Sequence, residues 1–363
     1  MIKQLTINSA SLLTAIVLLA GCSDAEKPES MSSLMGQTTS GYAEVIKGEE
    51  IQFPQDHQPH PDFRQEWWYL TANLTTDQDQ PLGLQWTQFR IAVSPEKSQQ
   101  DGWATNQIYF AHTAITTREQ HLAEEKWSRQ HPQLAGVTKI PFSVKLDNWQ
   151  WQSEGTNLFP ASLTAASDEF SYQLKLTSNK PFQRQGEQGY SQKNAKGDMA
   201  SYYYSQPFIE IAGNVTINGK EQQVTGKGWL DREWSSQFLS KSQQGWDWFA
   251  LRLNDGSALM LFQLRNSDDK ENSFYSGRRM YPDGIGRNIA SQQITLTAIR
   301  QHKIEEHNYP VGWRIQIPSE QIDVEIFPLN DNAKMPLSVA YWEGPVTFSG
   351  SHSGEGYMEL TGY

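Results

Sequence analysis

Apolar and polar side chains alternate with period two along much of this chain. Phe170, Tyr172, Leu174 and Leu176 are separated by Ser171, Gln173, Lys175 and Thr177, which puts the large groups on one face of a strand and the polar ones on the other. The same period recurs at Ile322, Val324 and Ile326, at Ile108, Phe110, His112 and Ala114, and at Trp313, Ile315 and Ile317. Asn218-Gly219 and Asn254-Asp255-Gly256 lie between such runs, and these residue types accept the positive φ that tight hairpins need. One stretch departs from the pattern. Residues 117–129 (TREQHLAEEKWSR) are strong helix formers without Gly or Pro, and they predict a helix. The whole predicts an all-β, antiparallel sandwich or barrel. No tandem repeat suggests a propeller or solenoid. A break around residues 226–240, between one hairpin and the next, predicts a first lobe over 49–235 and a second over 236–363.

The beginning of the chain obeys a different rule. Lys3, an apolar run from Leu12 to Ala20 and then Leu19-Ala20-Gly21-Cys22 have the order of a signal peptide with a lipobox. The run is too short to span a bilayer. Residues 1–21 are thus expected to be removed and Cys22 to be acylated, with residues 22–48, rich in Ser, Thr, Gly and charge, acting as a flexible tether. Ser23 after the cysteine points to a bacterial cell envelope, lipid-anchored at the outer membrane and facing the periplasm.

Composition narrows the chemistry. Cys22 is the only cysteine of 363 residues, so the body has no disulfide, thiolate nucleophile or cysteine metal site. A net charge of -11 repels a phosphate backbone, so no nucleic-acid partner is expected. The 13 Trp, 14 Tyr and 15 Phe suit strands and the walls of apolar cavities.

Three clusters could carry chemistry. Asp56, His57 and His60 are close enough to suggest a metal, but Pro59 and Pro61 prevent a helix that would align the imidazoles. Loop packing and a polar pocket wall compete with that reading, and no metal is assigned. In Trp229-Leu230-Asp231-Arg232-Glu233-Trp234 an extended backbone puts Asp231 and Glu233 on one face, roughly 6.6 Å apart along the strand. They could divide acid and base roles or belong to an ion-pair network with Arg232. In Gly245-Trp246-Asp247-Trp248, Asp247 points opposite to both indoles and is a third candidate acid. Trp67, Trp68, Tyr69, Trp234, Trp246 and Trp248 are candidate ligand-lining rings. His112 is a core histidine or a base beside them. No G-x-S-x-G elbow, P-loop or H-E-x-x-H occurs.

The segments FPQDHQPHPDFRQEWWYLTANL, FAHTAIT, YYYSQPFIEIAGNV, GKGWLDREWSSQ, GWDWFALRLNDGSALMLFQLR and YWEGPVTFSG…GEGYMELTGY resemble the AttH-like secreted proteins related to carotenoid 1,2-hydratases. The resemblance spans about residue 50 to Tyr363. It implies two lipocalin-like antiparallel β-barrel lobes, a cavity for hydrophobic molecules and cofactor-free chemistry. In the hydratase branch an acid protonates an isoprenoid double bond, rings stabilise the cation and water attacks. That branch carries an Asp-His-x-Trp pattern, which corresponds here to Asp231-Arg232-Glu233-Trp234. Arginine cannot shuttle a proton, so the acid would be Asp231, Glu233 or Asp247. Relatives are also described as secreted hydrolases and associated with ABC-type permeases.

Two functions follow as expectations. The first is an envelope lipoprotein that binds a hydrophobic small molecule, with a permease as partner. The second is a hydratase, dehydratase or isomerase acting on an apolar substrate. A purely structural module is a third reading.

Overall fold

The computed structural model describes residues 40–96, 104–240, 243–266 and 273–363. The signal peptide, Cys22 and most of the expected tether therefore lie outside the described residues.

The first sheet has thirteen strands: β1 (Gln65–Thr76), β2 (Pro81–Ala92), β3 (Gln107–Thr116), β4 (His121–Arg129), β5 (Ala135–Lys139), β6 (Phe142–Leu146), β7 (Trp149–Ser153), β8 (Ala161–Ala166), β9 (Phe170–Thr177), β10 (Gln183–Arg184), β11 (Tyr190–Gln192), β12 (Ala200–Ile217) and β13 (Lys220–Ser235). The second has ten: β14 (Gln243–Leu253), β15 (Ala258–Asn266), β16 (Phe274–Met280), β17 (Gly286–Ile289), β18 (Thr295–Ile304), β19 (His307–Ile317), β20 (Ile322–Pro328), β21 (Lys334–Met335), β22 (Tyr341–Gly350) and β23 (Gly354–Leu360). Every pairing is antiparallel. The main orders are β4-β3-β2-β1-β13-β12-β9-β8-β7-β6-β5 and β17-β16-β15-β14-β23-β22-β20-β19-β18. Both sheets curl into barrel-like lobes. Lys126 on β4 reaches Asp147 and Asn148 in the turn after β6, drawing the open edge of the first lobe inward. The described residues contain three short 3-10 turns and no α-helix.

Asn218 and Gly219 take positive φ, +50° and +78°, in the hairpin between β12 and β13. The expected helix over 117–129 is overturned, because this stretch contains β4, paired along its length with β3. Its residues also alternate. His121, Glu125 and Trp127 contact Met335, Ser338 and Phe110 on one side, while Leu122 packs on the first lobe's core on the other. Pairing with β3 satisfies the backbone and packs the half-buried Leu122 on the core, which outweighs the helical propensity of the isolated stretch.

Alternation generates three stacked apolar layers. Trp68, Leu70, Trp86 and Leu230 fill the first lobe; Phe249, Leu251, Trp313 and Val324 fill the second. Between them a third layer joins the outer face of the first sheet to the facing strands of the second, through Trp67, Tyr69, Tyr203, Trp246, Trp248, Phe262 and Tyr341. Approach is close enough that a Cβ on Gly83 of β2 would lie 2.4 Å from the Pro345 ring of β22. Residues 40–48 lie against the first lobe, where the Tyr42 hydroxyl donates to the Ala92 carbonyl at 2.7 Å and the Ile46 amide to the Tyr202 hydroxyl at 3.0 Å.

Candidate functional site

A cavity of about 60 Å³ lies in this middle layer, between the lobes. That is room for a few water molecules, so a larger guest has to push ring side chains aside. The first sheet contributes Trp67 and Tyr69 from β1, Phe89 from β2, Tyr203 from β12, and Asp231 and Glu233 from β13. Facing them are Trp246 and Trp248 of β14, Phe262 of β15, Tyr341 and Glu343 of β22, and Glu359 of β23. Lys193 and Phe238 close the wall from loops.

Asp231 is buried and held by three donors: Tyr203 Oη at 2.6 Å, Ser205 Oγ at 2.5 Å and Trp229 Nε1 at 2.8 Å. Burial raises its pKa, the three donors oppose this, and the nearby Glu233 adds to the rise; the carboxyl is pushed up to about 7. Glu233 instead pairs with Lys193 Nζ at 2.6 Å and also takes the Ser201 hydroxyl. The Lys193 ammonium sits over three rings, Phe262, Phe238 and Tyr203, at 4.6, 4.8 and 5.3 Å from their centroids. Burial lowers its pKa while Glu233 opposes the shift. A positive charge is thus already accommodated by this wall.

On the opposite wall Glu343 and Glu359 are direct cross-strand partners. Tyr69 Oη donates to Glu343 Oε1 at 2.5 Å, linking the two lobes, and Trp246 Nε1 donates to Glu359 Oε1 at 3.0 Å. Burial, reinforced by Glu359, lifts the Glu343 pKa well above the carboxylate range. Burial lifts that of Glu359 to about 8, with Asp231 and Glu233 adding repulsion. The cavity therefore holds carboxyls that keep their protons near neutrality, among rings.

Other candidates lie elsewhere. Asp247 is on the reverse face of β14, where it binds Arg265 Nη1 at 2.5 Å and the Tyr363 hydroxyl at 2.6 Å; it does not line the cavity. Trp68 and Trp234 point into the first lobe, on the other face from Trp67 and Glu233. There Arg232 stacks over Trp68 at 4.0 Å and, with Arg90, binds the fully buried Glu66. Burial raises the Glu66 pKa, but the two guanidiniums outweigh it and keep the group ionised. His60 stacks on Trp234 at 4.0 Å, and His57 Nδ1 shares a proton with Tyr204 Oη at 2.6 Å. Among the described residues no cluster of His, Asp and Glu could hold a metal ion. His112 stands one residue behind the wall, its Nδ1 2.9 Å from Tyr341 Oη.

A larger groove, about 930 Å³, opens on the first lobe beside Pro59, Gln107 and Ile140, but it has no convergent set of buried acids. Sequence reasoning missed Lys193, Tyr203, Tyr341, Glu343 and Glu359. The signal for a middle layer was the unbroken run Trp67-Trp68-Tyr69-Leu70, whose apolar groups fall on both faces of β1.

The sequence model of the AttH-like family matches residues 44–363. No curated protein sequence matches the chain. Among solved structures, an AttH protein from Nitrosomonas europaea is 34% identical with a TM-score of 0.78, the match covering 88% of this chain and 99% of that one. Kievitone hydratase from Nectria haematococca has a TM-score of 0.68 over 90% of this chain and 96% of its own, at 14% identity, a likeness of fold.

Proposed function

This chain belongs to the AttH-like family, and on that premise we propose that the cavity between its lobes binds a small apolar molecule and moves protons on it, adding or removing water or shifting a double bond. The observation that carries this reading is Asp231. Its carboxyl is buried, faces a ring-lined cavity, and has a pKa pushed up to about 7, as a general acid working near neutral pH requires.

In the hydration direction Asp231 gives its proton to an alkene carbon. The cation that forms is stabilised by the faces of Trp67, Trp246 and Trp248, and as water attacks, its proton returns to the Asp231 carboxylate through the neutral carboxyls of Glu343 and Glu359, which hand on a proton as they take one. The Lys193 ammonium among three rings is a resident analogue of such a cation. No cofactor has a part in this scheme. The solved hydratase of like fold acts, by its name, on kievitone, and the resemblance to carotenoid hydratases points to isoprenoid alkenes, so these are the first substrates to try. A hydrolase reading has less support, since among the described residues no serine or cysteine lines the cavity.

Binding without turnover is the second reading. It is favoured by Arg232, which stands where the hydratase pattern has histidine and is committed to Glu66. In either case the proposal includes a lipid anchor at Cys22, an outer-membrane position facing the periplasm, and an ABC-type permease as a partner for ligand delivery. The test is incubation of the protein with kievitone and linear isoprenoid alkenes in ¹⁸O-labelled water. A product heavier by one labelled water supports hydration. Binding with no incorporation and no isomer leaves the carrier reading.

A further inference from the structure

We propose that Glu125, His112 and Tyr341 form a proton-exchange path through the wall of the first lobe, connecting Glu343 to the protein surface. Its use in turnover rests on the acid-base reading above; the exchange itself does not.

The path is a row of four groups across three strands. Glu125 on β4 is at the surface, its side chain 24% exposed, and accepts hydrogen bonds from the Ser338 amide at 2.9 Å and the Trp127 indole at 3.0 Å. His112, its cross-strand neighbour on β3, is fully buried against the stacked rings of Phe89 and Phe110. The two imidazole nitrogens face opposite ways along the row. Nε2 is buried without a hydrogen-bond partner and lies 3.8 Å from Glu125 Oε2. Nδ1 is 2.9 Å from Tyr341 Oη. That hydroxyl in turn approaches the Glu343 carboxyl, whose Oε2 is also buried without a formed bond. Tyr69 and Glu359 are the remaining ionisable groups around Glu343 within the layer, with Tyr357 nearby.

An orphaned imidazole nitrogen aimed at a surface carboxylate is costly unless it is used. A neutral imidazole with its proton on Nδ1 donates to the Tyr341 oxygen and leaves the Nε2 lone pair free to take a proton delivered by Glu125. As Nε2–H forms, the Nδ1 proton passes to the Tyr341 oxygen and the Tyr341 proton to Glu343. One N–H and two other X–H bonds form as the same number break, and no electron changes owner. The passage leaves the other imidazole tautomer, and the return passage restores it. The arrangement matters most when an apolar guest fills the cavity, because water then has no access to Glu343 from the front.

The experiment starts from alkaline solution, in which Glu343 has given up its proton, releases protons with a light-triggered caged acid and follows the protonated-carboxyl infrared band of Glu343 in the full chain, identified by its loss in Glu343→Gln. His112→Phe and Tyr341→Phe are expected to slow its appearance at least tenfold with an unchanged final amplitude, and Glu125→Gln, at the surface and harmless to packing, to slow it severalfold. Equal rates in the parent and all three variants overturn the path, as does a Glu343→Gln spectrum that loses no band. Normal relay kinetics together with no turnover of any alkene would count against the acid-base reading and leave the path standing.

Discussion

Glu343 and Glu359 face one another directly across β22 and β23, two carboxyls on the same side of a sheet, Glu343 fully buried and Glu359 half-buried. Like charges at this separation are destabilising, and burial adds the cost of desolvating each anion. The pair therefore keeps at least one proton near neutral pH, shared in effect between two sites that titrate together.

A pH dependence of stability follows. Glu359 has a folded pKa of about 8 against 4.5 for the ordinary group. Between these values the unfolded chain has lost its proton and the folded one has kept it, so stability falls as pH rises through this window and levels off above it. The slope from one such group is at most about 1.4 kcal/mol per pH unit. Urea unfolding from pH 5 to 9 should show this decline, and Glu359→Gln should flatten it and be the more stable protein at pH 9.

The ring residues divide by layer. Trp248→Ala opens the cavity wall and is expected to weaken binding of a neutral fluorescent probe such as N-phenyl-1-naphthylamine roughly tenfold or more, a loss of about 1.4 kcal/mol or greater. Trp68→Ala empties a site in the first lobe's core and should cost about 3–5 kcal/mol of stability, with probe affinity of the folded protein nearly unchanged. Fluorescence titration beside chemical denaturation separates the two effects.

Glu66 holds two buried guanidiniums, so Glu66→Ala leaves Arg90 and Arg232 without their counter-ion. A loss of about 3–5 kcal/mol is expected, measured as a lowered denaturation midpoint with little change in slope.

Cys22→Ser removes the proposed acylation site. Radiolabelled palmitate should enter the parent chain and not the variant, and the variant should leave the membrane fraction in its host.

The strands were largely legible, because a half-buried strand has to alternate, as Phe170 to Thr177 does. Residues 117–129 misled because their intrinsic propensity is a stronger local signal than their alternation, and pairing with β3 overrides it. Part of the site could also be read locally, since Asp231 and Glu233 share a face on any extended backbone, with Trp67, Tyr69, Trp246 and Trp248 reaching the same cavity. The remainder arises from register. Glu343 and Glu359 are isolated acids in YWEGPV and GYMEL, and only the pairing of β22 with β23 and the stacking of the two sheets bring them to Tyr69 and Asp231. The site's position between lobes, and the exclusion of Trp68, Trp234 and Asp247 from it, depend on that same stacking.

The central claim is that Asp231 is an acid acting on a guest held between the lobes. The most direct test is to purify the protein and its Asp231→Asn variant from the native host, extract each with organic solvent and compare the bound compounds by mass spectrometry. The account predicts an apolar compound in each, the two differing by one water or by the position of a double bond. The same compound in both, or none in either, would contradict it.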